Sequence, residues 1–193
     1  MNRATNEVWP RGVSGIPKAI GFTPRTFRRS STVMLLLYFC VGMSTAQAPV
    51  ATTSLLHKEA PEFVRIDLQH RKLDLHAYRG KVVLLDFWAT WCASCQLEMP
   101  RFVAWQTQYG PCGLQIIGIS MDDDPDLARK LYKKMKLNYP VAMGDDKLGQ
   151  LYGGVLGLPL AYLIDTKGRV QAQFRGEIDL NLIEERFKPL LRP

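Results

Sequence analysis

Two apolar runs with one helical stretch between them limit this chain to a few architectures. Val82–Leu85 is continuously apolar, as expected for a strand that is covered on both faces, and Leu114–Ile119 largely repeats the signal. Between the runs, apolar side chains recur at positions i, i+3 and i+4, which predicts a helix from about Ser94 to Tyr109. A strand, a helix and a second strand in this order predict a right-handed parallel crossover.

The flanking segments extend this unit into an α/β pattern. Phe63–Asp67 and Lys72–Leu75 predict two short strands around a polar turn, which is an N-terminal hairpin. After the second run, the pattern predicts a helix that starts at Asp124, a short strand, a short helix, two strands and a C-terminal helix. The last strand alternates apolar and polar residues from Val170 to Phe174, as an antiparallel, half-exposed strand does. We therefore expect a central mixed sheet with helices on both faces.

The net charge of +7 comes mostly from the N-terminal leader. Residues 1–48 carry six Lys or Arg side chains and one acidic side chain, which leaves 19 basic and 17 acidic side chains in the remaining chain. A balance of +2 provides no electrostatic footprint for nucleic acid. The chain also has no run of eighteen apolar residues, so it is not a polytopic membrane protein.

The leader has the order of segments that is typical of a secretory signal peptide. The basic stretch Arg25–Arg29 precedes the apolar stretch Thr32–Met43, and the small residues Ser44–Ala48 follow. This order predicts export to the periplasm or beyond, with cleavage after Ala46 or Ala48. The alternative is an uncleaved membrane anchor, for which about a dozen apolar residues are few, since a spanning helix needs about 20.

Cys92 and Cys95 follow the first apolar run at the start of the predicted helix. Two cysteines at this spacing can close a small disulfide ring, while the first thiol faces free backbone N–H groups and the positive end of the helix dipole. Both effects stabilise a thiolate and lower the pKa of Cys92 below the free value of about 8.5. We therefore expect Cys92 to be the exposed nucleophile and Cys95 to be the resolving thiol.

Two other interpretations of the cysteine pair are open. A structural zinc site needs a second pair of ligands, and the mature chain offers only Cys112 and scattered histidines, so no metal is expected. A permanent structural disulfide would fit an exported protein, although such a staple usually closes a longer loop. Cys112 itself is expected to be buried near the start of the next strand.

The segment Val82–Cys95, VVLLDFWATWCASC, resembles the active-site segment of the thioredoxin superfamily, in particular the TlpA/ResA/CcmG-like exported thiol-disulfide oxidoreductases. Similar segments of that branch fall at Ala60–Phe63, Tyr78–Lys81, Glu98–Pro100 and Gly157–Pro159. The resemblance implies a thioredoxin-like fold with an extra N-terminal β-hairpin and a short central insertion. We expect a leader over residues 1–48, a linker over 49–60 and a thioredoxin-like domain over 61–193.

The resemblance also implies roles for particular residues. Pro159 would be a cis-proline opposite the dithiol, and Trp91 and the Leu158 backbone would contact a bound peptide. Asp86 would assist proton transfer to the resolving cysteine, and Glu98 matches an active-site glutamate of the cytochrome-maturation branch. A lone charge at the end of a buried strand is costly, so the Asp86 carboxyl should be protonated more readily than usual or paired locally. The alternative for Glu98 is a solvated helix residue.

Together these features predict an exported protein-disulfide oxidoreductase, without a bound cofactor, that acts as a reductant. The resemblance implies protein disulfides as substrates, apocytochrome c among them, a membrane thiol donor of the DsbD/CcdA type and a monomeric state. Ala93 and Ser94 depart from the branch, which often has proline before the second cysteine, so the direction of electron flow stays open. One alternative is a thiol peroxidase, which typically has Thr and Pro where this chain has Ala89 and Leu85. Another is a non-enzymatic module that binds peptides.

Overall fold

The computed structural model describes residues 54–177 and 179–191. The strands are β1 (Val64–Ile66), β2 (Lys72–Asp74), β3 (Val82–Trp88), β4 (Leu114–Ser120), β5 (Val141–Met143), β6 (Leu160–Ile164) and β7 (Val170–Arg175). The helices are α1 (Ala93–Tyr109), α2 (Pro125–Lys134), α3 (Asp146–Leu151) and α4 (Leu180–Phe187), with 3-10 turns at Leu75–Tyr78 and Lys188–Leu190. In the described ranges no helix combines the length and apolar character needed to cross a membrane. The predicted leader and its cleavage sites lie outside these ranges.

Five strands form one mixed sheet in the order β5-β4-β3-β6-β7. β3 pairs in parallel with β4 and antiparallel with β6, and β7 is antiparallel to β6. β1 and β2 form a separate antiparallel pair. The predicted parallel pairing of β3 with β4, the N-terminal hairpin and the antiparallel last strand are therefore confirmed. β5 pairs in parallel with β4 and forms one edge of the sheet.

Helices cover both faces of the sheet. Alternate residues of β3 point to opposite faces, so each face receives its own set of β3 side chains. Val82, Leu84 and Trp88 belong to a core cluster with side chains of α1, α2 and α4, whereas Val83, Leu85 and Phe87 pack with α3 and the hairpin. All seven residues of β3 are buried. This double covering explains the unbroken apolar run that the sequence shows.

Residues 57–60, which the sequence predicts as the end of a linker, run antiparallel to the start of β7. The His57 N–H donates to the Val170 carbonyl at 2.8 Å, and the Ala60 N–H donates to the Gly168 carbonyl at 2.9 Å. Ala60 is buried. This part of the chain thus covers part of an otherwise free sheet edge.

Candidate active site

Cys92 and Cys95 form a disulfide where β3 ends and α1 begins, with a Cα–Cα distance of 5.4 Å. Cys92 is the N-cap residue of α1, and its Sγ accepts the Cys95 N–H at 3.2 Å. The Cys92 N–H donates to the Ala89 carbonyl at 3.1 Å and closes a tight turn after the strand. The sulfur of Cys92 therefore faces the amino end of a helix, an arrangement that stabilises a thiolate after reduction.

Both cysteines are more enclosed than the sequence suggests. Cys92 is 5% exposed and Cys95 is 2% exposed, so the expectation of an exposed Cys92 is wrong for the disulfide form. The two residues belong to the core cluster on the α1 side of the sheet, because the first turn of α1 packs directly against that face. Ser94 Oγ lies 3.6 Å from Cys92 Sγ, which places a hydroxyl beside the outer sulfur.

The residues predicted to contact a partner chain lie near the carboxyl end of β3, as the dithiol does. The Leu158–Pro159 peptide bond is cis. Leu160, the next residue, pairs with Phe87 near the carboxyl end of β3. The register therefore brings the cis-proline to the end of β3 after which α1 begins. Trp91 is 70% exposed there.

Two carboxyl groups are buried beside this region. Asp86 in β3 is 2% exposed, and Glu98, one helical turn beyond Cys95, is 5% exposed. Burial raises the pKa of Glu98 to about 7. Burial, and secondarily the charge of Glu98, raises the pKa of Asp86 well above its usual range. Glu98 is therefore not a solvated helix residue, and Asp86 follows the first of its two expected behaviours, easier protonation.

Asp86 pairs in register with Gly118 of β4, a position that has no room for a side chain. A Cβ at Gly118 would lie 2.9 Å from the Trp88 Nε1 and 3.0 Å from the Val141 Cγ2. A side chain at this position would therefore displace Trp88 or Val141. Among the described residues, Asp86 Oδ1 and Glu98 Oε2 have no hydrogen-bond partner, which agrees with their raised pKa values.

Sequence reasoning missed a hydrogen-bonded cluster that holds the loop before Cys92. The Asp122 carboxylate, which follows β4, accepts hydrogen bonds from the Thr90 N–H and hydroxyl, while the Gln96 side chain donates to the Thr90 carbonyl. Asp122 is only 7% exposed. Its position directly after a buried parallel strand is the signal that could have identified it, since such strand ends carry site residues.

Cys112 is exposed, so the prediction that it is buried is wrong. The reason is local: the residue lies in the turn after α1, where its N–H donates to the Tyr109 carbonyl, and β4 begins only at Leu114. The free Cys112 thiol thus lies outside the Cys92–Cys95 segment and, unlike those two cysteines, is exposed.

The sheet is mixed, a redox-active cysteine pair stands at the start of α1, and a cis-proline lies near the same end of β3. These features define a thioredoxin-like thiol-disulfide oxidoreductase. Comparison with known proteins agrees. Residues 56–173 match the sequence model of the AhpC/TSA family. The chain is 34% identical over 162 residues to the thiol-disulfide oxidoreductase ResA of Bacillus cereus, covering 82% of this chain and 92% of that protein.

Two further relatives point the same way. The thiol:disulfide interchange protein HelX of Rhodobacter capsulatus is 31% identical over 152 residues, which is 78% of each chain. A crystal structure described as that of a thiol:disulfide interchange protein DsbE from Chlorobium tepidum superposes with a TM-score of 0.63 at 30% identity, covering 68% of this chain and 94% of that one. The chain therefore belongs to the AhpC/TSA family and, among its members, to the ResA-like thiol-disulfide oxidoreductases.

Proposed function

We propose that this protein is an exported reductant of protein disulfides that acts through Cys92 and Cys95. The observation that carries the proposal is the position of Cys92 as the N-cap of α1, where its sulfur accepts the Cys95 N–H. In the reduced protein, the same N–H and the helix dipole would stabilise the Cys92 thiolate, the form that attacks disulfides.

The exchange would proceed in two displacements. The Cys92 thiolate attacks one sulfur of the partner's disulfide, that bond breaks, and the departing partner sulfur takes up a proton. Cys95 then loses its proton and attacks Cys92 Sγ, which forms the Cys92–Cys95 disulfide and releases the second partner sulfur as a thiol. The partner gains two electrons and two protons, and the protein's dithiol loses them.

Glu98 would act in the second displacement. A proton must leave Cys95 in the enclosed site, and Glu98 lies three residues further along the same face of α1. Because its pKa is raised to about 7, this carboxyl can both accept and return a proton near neutral pH. Asp86, which is electrostatically coupled to Glu98, would assist the transfer.

The partners follow from the resemblance to the cytochrome-maturation branch. Apocytochrome c is a protein disulfide substrate of the right kind, and an exported reductant needs a membrane thiol donor of the DsbD/CcdA type to restore its own dithiol. The relatives named as interchange proteins support thiol-disulfide exchange as the reaction. The leader over residues 1–48 would direct the monomeric protein to the periplasm, either as a signal peptide cleaved after Ala46 or Ala48 or as an uncleaved anchor.

Peroxide reduction is the weaker candidate within the same family. Leu85 and Ala89 occupy the positions where a thiol peroxidase typically carries Pro and Thr, and both are fully buried. Neither side chain can donate a hydrogen bond, so the site has no hydroxyl at this position to bind a peroxide oxygen.

Trapping tests the substrate class. Cys95→Ala removes the resolving thiol, so the mixed disulfide between Cys92 and the partner should accumulate in cells and be identifiable by mass spectrometry. Partners rich in Cys-x-x-Cys-His sequences, together with a membrane thiol protein, are the expected result. A broad set of secreted proteins would point to a general exchange role, and the absence of any adduct beyond that of Cys92→Ala would favour a peptide-binding module.

A further inference from the structure

Thr90, two residues before Cys92, is held by hydrogen bonds through all of its polar groups. Its N–H donates to both carboxylate oxygens of Asp122, at 3.0 Å each, and its hydroxyl donates to Asp122 Oδ1 at 2.6 Å. Its carbonyl accepts from Gln96 Nε2 at 2.8 Å. Thr90 is therefore fixed between the end of β4 and the first turns of α1.

Asp122 is built into this arrangement. It is 7% exposed, and the Ser120 hydroxyl donates to Asp122 Oδ2 at 2.8 Å. With the donors from Thr90, the carboxylate accepts hydrogen bonds at both oxygens, as a buried charge must. Hydrogen bonds to a carboxylate are stronger than those between neutral groups.

The clamped segment carries the most exposed aromatic side chain near the dithiol. Trp91 lies between Thr90 and the buried Cys92, yet it is 70% exposed. The sulfurs have supports of their own, since Cys92 caps α1 and accepts the Cys95 N–H. The hydrogen bonds to Thr90 thus fix the surface beside the dithiol and are not needed to hold the sulfur pair together.

We propose that Asp122 is a positioning residue for partner recognition, which acts through Thr90 to hold Trp91 and the adjoining backbone in the pose that a partner polypeptide contacts. The proposal rests on the proposed function, because it assigns a role in the same exchange reaction. A contact surface that is already ordered loses less conformational entropy when a partner binds, so the clamp favours binding of extended chains. A small disulfide that touches little beyond Cys92 gains much less from it.

The test compares two disulfides as oxidants of the full chain, whose Cys92–Cys95 disulfide is reduced beforehand. The probes are an oxidised peptide that carries Cys-x-x-Cys-His and glutathione disulfide. Asp122→Asn keeps the side-chain shape but replaces one acceptor oxygen with a donor, and Thr90→Val removes the hydroxyl at equal size. Asp123→Asn, at a neighbouring exposed acid, and Thr90→Ser, which keeps the hydroxyl, are the matched controls.

We expect Asp122→Asn and Thr90→Val to lower kcat/KM for the peptide about 5- to 20-fold, because KM rises. The kcat/KM for glutathione disulfide should change less than about twofold. Both controls should behave like the unmodified protein. Near-ultraviolet circular dichroism establishes folding, and if Asp122→Asn does not fold, Thr90→Val decides the question.

Two results would overturn the positioning role. One is an unchanged KM for the peptide in the folded variants, and the other is an equal loss of rate with both disulfides, which would place the effect on the dithiol itself. Failure of the proposed function gives a different result, because the unmodified protein would then reduce neither probe.

Discussion

Replacing Cys92 with Ser is expected to slow the reduction of a protein disulfide by about 1,000-fold or more, because a hydroxyl is not ionised near neutral pH and does not attack a disulfide. Serine is a good N-cap residue, so α1 should still start at the same position and the fold should persist. The rate is measured from the loss of disulfide in an oxidised Cys-x-x-Cys-His peptide.

Cys112→Ser is the matched control for this substitution. Cys112 is exposed in a turn outside the site, so its replacement should leave the rate within about twofold. If Cys92→Ser kept a tenth of the activity, or if Cys112→Ser abolished it, the assignment of Cys92 as the nucleophile would be wrong.

Glu98→Gln should remove the pH dependence that is centred near neutrality. The pKa of Glu98 is about 7, so the exchange rate of the unmodified protein should change between pH 6 and pH 8 as this carboxyl ionises. The glutamine variant, of nearly the same shape, cannot ionise and should show a flatter profile over that window. Glu185→Gln, at an exposed position of α4, is the control and should retain the inflection.

The same group links stability to pH. Because the folded-state pKa of Glu98 lies above its usual value of 4.5, its buried carboxyl is most favourable in the acid form and costs stability as the pH rises through about 7. The unmodified protein should therefore lose about 1–2 kcal/mol of its free energy of unfolding, relative to Glu98→Gln, when the pH rises from 5 to 8. This figure allows for solvent screening. Urea titrations at both pH values measure this difference. A constant difference would contradict the burial of an ionising Glu98.

The architecture could be predicted because each strand and helix carries its own local signal. The buried run of β3, the period of α1 and the alternation of β7 each reflect a burial pattern that the structure reproduces. The position of the dithiol followed from the same reasoning, since a cysteine pair between a strand and a helix must lie where the helix begins.

Other features depend on contacts between distant segments and leave little local trace. The acids of the loop after β4 read alike in the sequence, and only the approach of Thr90 makes Asp122 different from Asp123. The burial of Glu98 depends on how α1 packs on the sheet, and the exposure of Cys112 depends on where the turn after α1 ends. Such positions are set by tertiary packing, which overrides local preference.

Counting thiols during one exchange tests the central claim most directly. The full chain is reduced, mixed with an excess of the oxidised Cys-x-x-Cys-His peptide, quenched with an alkylating reagent and analysed by mass spectrometry. We predict that one peptide disulfide is lost for each Cys92–Cys95 disulfide formed, with Cys112 still present as a thiol. The account would be contradicted if the peptide disulfide persisted and both Cys92 and Cys95 were recovered in the alkylated form, which shows that they were still thiols.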